Sequence, residues 1–70
     1  MDILVTPRDT VEPLTIKRDL GVVYTNGSKV ERMLEELRDE CQKLGGNAIV
    51  RLRFNFEGRG LASGAAVFAE

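Results

Sequence analysis

Histidine and tryptophan are absent from these 70 residues, and cysteine occurs once, at Cys41. Without histidine the chain lacks the most common general base and the most common metal ligand. A single cysteine cannot close an intrachain disulfide, which excludes a secreted disulfide scaffold. An excess of charge of one sign is missing too. Ten Lys and Arg stand against eleven Asp and Glu, a formal charge of −1, so the whole chain has no pull toward nucleic acid or an anionic membrane, and neither is expected as a partner. The longest apolar run, Leu61 to Ala69, is broken by Ser63 and Gly64 and falls far short of the ~20 residues of a spanning helix. The opening Met-Asp-Ile-Leu-Val has neither a basic segment nor a cleavage pattern. No signal peptide is therefore expected, and the expected compartment is the cytoplasm.

What is present has the balance of a folded soluble protein: 43% apolar and 30% charged residues. A chain this short buries only about 60% of the surface it exposes when unfolded, so residues 1–70 are read as one domain with one small core. Ile3-Leu4-Val5-Thr6 reads as a short strand that stops at Pro7, and the polar stretch from Pro7 to Pro13 as a loop. Between Leu14 and Tyr24, the even positions Ile16, Leu20, Val22 and Tyr24 predict a strand with one buried face, with Gly21 marking a bulge or bend. Thr25-Asn26-Gly27 is turn chemistry, and Ser28 with Glu31 predicts a capping box that starts a helix. Val30, Met33, Leu34, Leu37, Cys41 and Leu44 recur every three or four residues, with Arg32, Glu35, Glu36, Asp39 and Lys43 on the other side. Gly45 and Gly46 supply the left-handed conformation that ends such a helix. Ala48, Val50, Leu52, Phe54 and Phe56 then alternate with Ile49, Arg51, Arg53 and Asn55, predicting a strand with one apolar and one basic face. Glu57-Gly58-Arg59-Gly60 is a turn into a last strand, Leu61 to Ala69.

The predicted fold class is α+β in the order β-β-α-β-β: a small, mostly antiparallel sheet with one helix on one face. A right-handed crossover through the helix makes the second and third strands parallel. The uncharged last strand then belongs between them, antiparallel to both. Since one helix covers one face, the other face is expected to be buried by copies of the chain in a ring oligomer.

The run Leu44-Gly45-Gly46-Asn47-Ala48-Ile49-Val50-Arg51-Leu52-Arg53-Phe54 resembles the helix-end and strand signature of the YbjQ-like family. Ile3-Leu4-Val5-Thr6, Leu20-Gly21-Val22-Val23 and Ala62-Ser63-Gly64-Ala65-Ala66-Val67 resemble that family's first, second and last strands, in the right order. Typical members are longer, with an additional helical segment where Thr25 to Gly27 stands here. The resemblance implies a small α+β domain that assembles into a homo-oligomeric ring, commonly a pentamer, with a heavy-metal-binding label and a largely undefined biochemical role.

Two groups of residues are candidates for chemistry. Cys41 offers a soft ligand for copper(I), zinc or mercury, but it lies on the apolar stripe of the helix, where a free cysteine behaves as a small hydrophobe. A soft-metal site would need such thiols from several subunits. Arg51 and Arg53, with Arg59 nearby in sequence, form a cationic cluster suited to a phosphate or carboxylate, or to intersubunit ion pairs with Asp19, Glu57 or helix carboxylates. Glu35, Glu36, Asp39 and Glu40 read as a solvated helix face interleaved with Arg32, Arg38 and Lys43. Gly58-Arg59-Gly60 and Asn26-Gly27-Ser28 lack the longer glycine patterns that cradle phosphates. Ser28, Thr25 and Tyr24 have no histidine to activate them. The expected function is that of a non-enzymatic homo-oligomeric binding or scaffold domain of undefined ligand. The alternatives are a metal or metalloid carrier using Cys41 at a subunit interface, and a small-cofactor store like the dodecins, which share the strand, helix, hairpin order but whose flavin stacking depends on tryptophan. No cofactor is named by the residues.

Overall fold

A computed structural model describes residues 3–56 and 60–70. Among these residues four strands and one helix follow the expected order: β1 (Leu4–Val5), β2 (Ile16–Gly27), α1 (Val30–Lys43), β3 (Ala48–Asn55) and β4 (Gly60–Ala69). The strands lie in the order β1-β3-β4-β2. The small-residue strand β4 sits between β2 and β3, antiparallel to both, while β1 pairs parallel with β3.

The helix forms where the apolar spacing places it. Met33, Leu37 and Cys41, one turn apart, are its buried residues. It ends in a double closure: Gly46 N–H donates to the Cys41 carbonyl at 2.9 Å and Gly45 N–H to that of Gln42 at 3.0 Å, with Gly45 at φ +85°. This is the Schellman arrangement, and only the first glycine is left-handed. The helix start differs from expectation. The N-cap is Lys29, in extended backbone and without a side-chain cap, so the Ser28–Glu31 box does not form. The cause lies in β2, which runs through Thr25, Asn26 and Gly27 because these pair with Ala62, Leu61 and Gly60. The chain turns into the helix only after Ser28, one residue too late for the serine to cap it.

Two clusters of buried side chains lie on opposite faces of the sheet. Under α1, Ile3, Val23, Met33, Leu37, Cys41, Ile49, Ala62 and Ala66 pack together, with Val5, Leu20 and Leu52 at the margin. The helix lies chiefly over β2 and β4. In the sheet beneath it, β4 and β3 fit closely: a side chain at Gly64 would come within 2.6 Å of Ile49 Cγ2. On the second face, Val11, Ala48, Val50, Ala65, Val67 and Ala69 cluster, with Ile16 beside them. The stretch between the prolines is thus not a solvated loop alone. It folds back over the second face, where Val11 is buried, and is tied down by Arg51 N–H to the Arg8 carbonyl at 2.8 Å and Leu52 N–H to that of Thr6 at 3.1 Å.

Bulges alter both predicted strand faces. In β2 the register shifts between Ile16 and Arg18 and again between Asp19 and Gly21, where Gly21 takes φ +117° and its N–H bonds the Asp19 carboxylate. Each extra residue inverts the alternation downstream. The two bulges therefore cancel: Ile16, Val22 and Tyr24 share the second face, Leu20, the extra residue of the second bulge, turns to the first, and Val23 is buried. Val22 and Tyr24 are each 73% exposed because they lie on the half of the second face beyond Val11. In β3, Val50 pairs with Ala65 and Arg53 with Ser63, leaving Arg51 and Leu52 opposite Gly64 alone. Val50 thus lies on the second face and Leu52 packs toward the helix side, so the single apolar face expected from Ala48 to Phe56 is split between the two.

Candidate functional site

The bulge in β3 builds the cationic site. Arg51 holds φ +54°, a backbone conformation uncommon for a residue with a side chain, and is kept there by the Arg8 carbonyl and by the fixed pairing on either side. As a result Arg51 and Arg53 border one shallow groove of about 240 Å³ with Val22, Ser63, Gly64 and Ala65. Both arginines are exposed, and among the described residues neither has an ion-pair partner. Arg59 and Glu57, named with them from sequence, lie outside the described residues. Asp19, the other expected partner, has its carboxylate turned to the Gly21 N–H. The arrangement offers two guanidinium groups, whose planar donors suit a carboxylate or phosphate oxygen pair.

A second concavity was not legible in the sequence. Between α1 and the outer side of β2 runs a groove of about 630 Å³, lined by β2 from Val22 to Thr25 and by Glu36, Asp39, Glu40, Lys43 and Leu44 of the helix. The Thr25 hydroxyl donates to the Glu36 carboxylate, and Lys43 pairs with Glu40 at 3.4 Å. Within this groove three carboxylates stand against one ammonium, and Glu36 also borders a neighbouring hollow that holds Lys29 and Arg32. The groove's signal in the sequence was the cluster at 35–40, but only the tertiary structure sets those carboxylates beside a strand whose outer edge is unpaired among the described residues.

Cys41 sits elsewhere. Its side chain is fully buried in the first core and its thiol donates to the Ala48 carbonyl at 3.4 Å. Burial raises its pKa above the ordinary thiol value, against smaller opposing effects of the Ala48 and Val67 backbone. This position is the interior under α1, not a surface where thiols of several subunits meet. Among the described residues, no group of three or more His, Cys, Asp or Glu is placed to hold a metal ion.

The residues that carry the sequence resemblance perform structural work. A side chain at Gly46 would meet Cys41 Sγ at 2.7 Å and the Val67 carbonyl at 2.9 Å. Asn47 donates through Nδ2 to the Ala69 carbonyl at 2.7 Å and accepts the Ala69 N–H through Oδ1 at 2.9 Å, locking the helix exit to the end of β4. No family model and no curated protein matches the sequence. Among solved structures, one from Pediococcus pentosaceus ATCC 25745, a protein of unknown function in the DUF74 family, matches with a TM-score of 0.65 over 97% of this chain and 98% of that one. The two chains share a fold. At 13% identity the likeness extends to architecture alone. DUF74 is the family of the YbjQ-like proteins, so the resemblance read from residues 44–54 and the likeness in three dimensions point to the same fold. No helix of the described residues is long and apolar enough to cross a membrane.

Proposed function

We propose that this chain is a non-enzymatic, homo-oligomeric binding or scaffold domain whose assembly buries the uncovered half of the second sheet face. The observation that carries this reading is the 73% exposure of both Val22 and Tyr24, with Leu61 also exposed, on the face whose other half is closed by Val11. A valine or leucine taken fully out of water contributes about 1.5–3 kcal/mol, so covering this strip is favourable wherever a surface of matching shape exists. A ring of like subunits, five by the resemblance to YbjQ-like proteins, supplies that surface without a second gene product. The absence of histidine removes the most common general base, and burial withholds the one thiol, which favours a binding over a catalytic reading.

Native mass spectrometry at micromolar concentration tests the reading and reports any retained small anion in the same measurement. A closed oligomer is expected. A well-folded single subunit would refute it.

A further inference from the structure

The uncovered half of the second face is cationic as well as apolar. Val22, Tyr24, Leu61 and Ser63 lie there with Arg51 and Arg53, and across the strand pairs Val22–Ala65, Tyr24–Ser63, Asn26–Leu61, Arg53–Ser63 and Asn55–Leu61 no carboxylate appears. Two copies meeting face to face would bring arginine against arginine, and like charges juxtaposed in a contact are strongly unfavourable. The face therefore calls for a carboxylate-bearing partner surface.

The same chain carries such a surface on the helix side of the β2 edge, where Val22 borders both grooves. Glu36, Asp39 and Glu40 border the groove beside β2, and among the described residues only Glu40 has an ion-pair partner, Lys43. This flank also includes the 12-residue outer edge of β2, a row of free backbone groups of the kind that folded proteins cover. We infer that the carboxylate-lined β2–α1 flank of one copy seats on the cationic second face of the next, so that Glu36 and Asp39 meet Arg51 and Arg53 head to tail. The inference rests on the self-assembly reading and specifies its geometry. A heterologous contact of this kind leaves a free face at one end of a chain of subunits and a free flank at the other, and closing a ring joins the two.

Charge reversal separates the possibilities. Three proteins are compared with wild type by analytical ultracentrifugation, with circular dichroism to establish folding: Arg51→Glu with Arg53→Glu, Glu36→Lys with Asp39→Lys, and all four together. Each pair alone should weaken assembly by about 10-fold or more in dissociation constant, and the fourfold protein should recover it. The milder pairs Arg51→Gln with Arg53→Gln and Glu36→Gln with Asp39→Gln cover the case in which a reversal fails to fold. They should weaken assembly less and reduce its sensitivity to salt. If wild type assembles but the flank variants assemble equally well, the contact is of another kind and the inference is overturned, while the self-assembly reading stands. A folded fourfold protein that stays dissociated overturns it equally. A monomeric wild type overturns both.

Discussion

Beneath α1 the sheet presents Ala62, Gly64 and Ala66, and the helix lays Met33, Leu37 and Cys41 onto that floor until each is almost wholly dry. On the reverse side, a returning loop brings Val11 over Ala48, Val50, Ala65 and Val67, and stops there. A helix repeats its apolar contact every turn and so covers a strip as long as itself. A loop crosses once, and its backbone groups must find partners outside any regular ladder, as those of Thr6 and Arg8 do in β3. The first face is therefore closed along the helix by local sequence. The second is closed at one end only, which leaves Val22, Tyr24 and Leu61 exposed beside Arg51 and Arg53.

The sharpest way to break this contrast is to weaken each cover in turn. Leu37→Ala should cost about 2–5 kcal/mol of unfolding free energy, as for other fully buried leucines. Val11→Ala should cost only about 1–2 kcal/mol, at about 0.8 kcal/mol per buried methylene. Denaturant titrations give both values. Hydrogen exchange in the Val11→Ala protein should quicken first at the Arg51 and Leu52 amides, which the loop carbonyls hold. Equal losses at the two sites would mean that the loop is as integral to the core as the helix.

Protonation probes the dry side further. Because burial raises the Cys41 pKa in the folded state, the folded protein holds the thiol proton more tightly than the unfolded chain does. The associated stability is fully present below the unfolded thiol's pKa of about 8.5 and is lost as pH rises through the folded value. Denaturation midpoints measured from neutral to alkaline pH should fall more steeply for wild type than for Cys41→Ala. Parallel curves would place the thiol in contact with water. The smallest effect belongs to the wet side. Tyr24→Ser should change the stability of the isolated subunit by no more than about 0.5 kcal/mol, as expected of an exposed residue. A larger loss, measured at concentrations below assembly, would show that the strip is already covered within one chain.

Much of the architecture was legible in the residues. Val30 to Leu44 carry the helical period, and Gly45 with Gly46 mark its end in the order the closing hydrogen bonds require. The small residues of β4 pointed to a central strand with close neighbours, and the structure places it there. The pairing of Arg51 with Arg53 was legible as a cluster. The groove they share was not, because it depends on a bulge opposite Gly64. Ser28 and Glu31 matched the capping pattern, yet strand pairing from Thr25 to Gly27 competed for the same segment and prevailed. The exposed character of Val22 and Tyr24 was hidden for a different reason: two bulges cancel and leave both on the face of Ile16, but alternation does not tell how far along that face the cover over Val11 extends.

By itself, then, the order of residues determined the helix, its termination, the succession of strands and the central place of β4, since each depends on neighbours within a few positions or on chain chirality. Only the tertiary structure decided which side of each strand is dry, that Val11 reaches across the second face, and that a carboxylate-lined groove and an arginine groove adjoin at Val22. Side-chain alternation assigns faces only while register is constant, and register is set by the partner strand, many residues away.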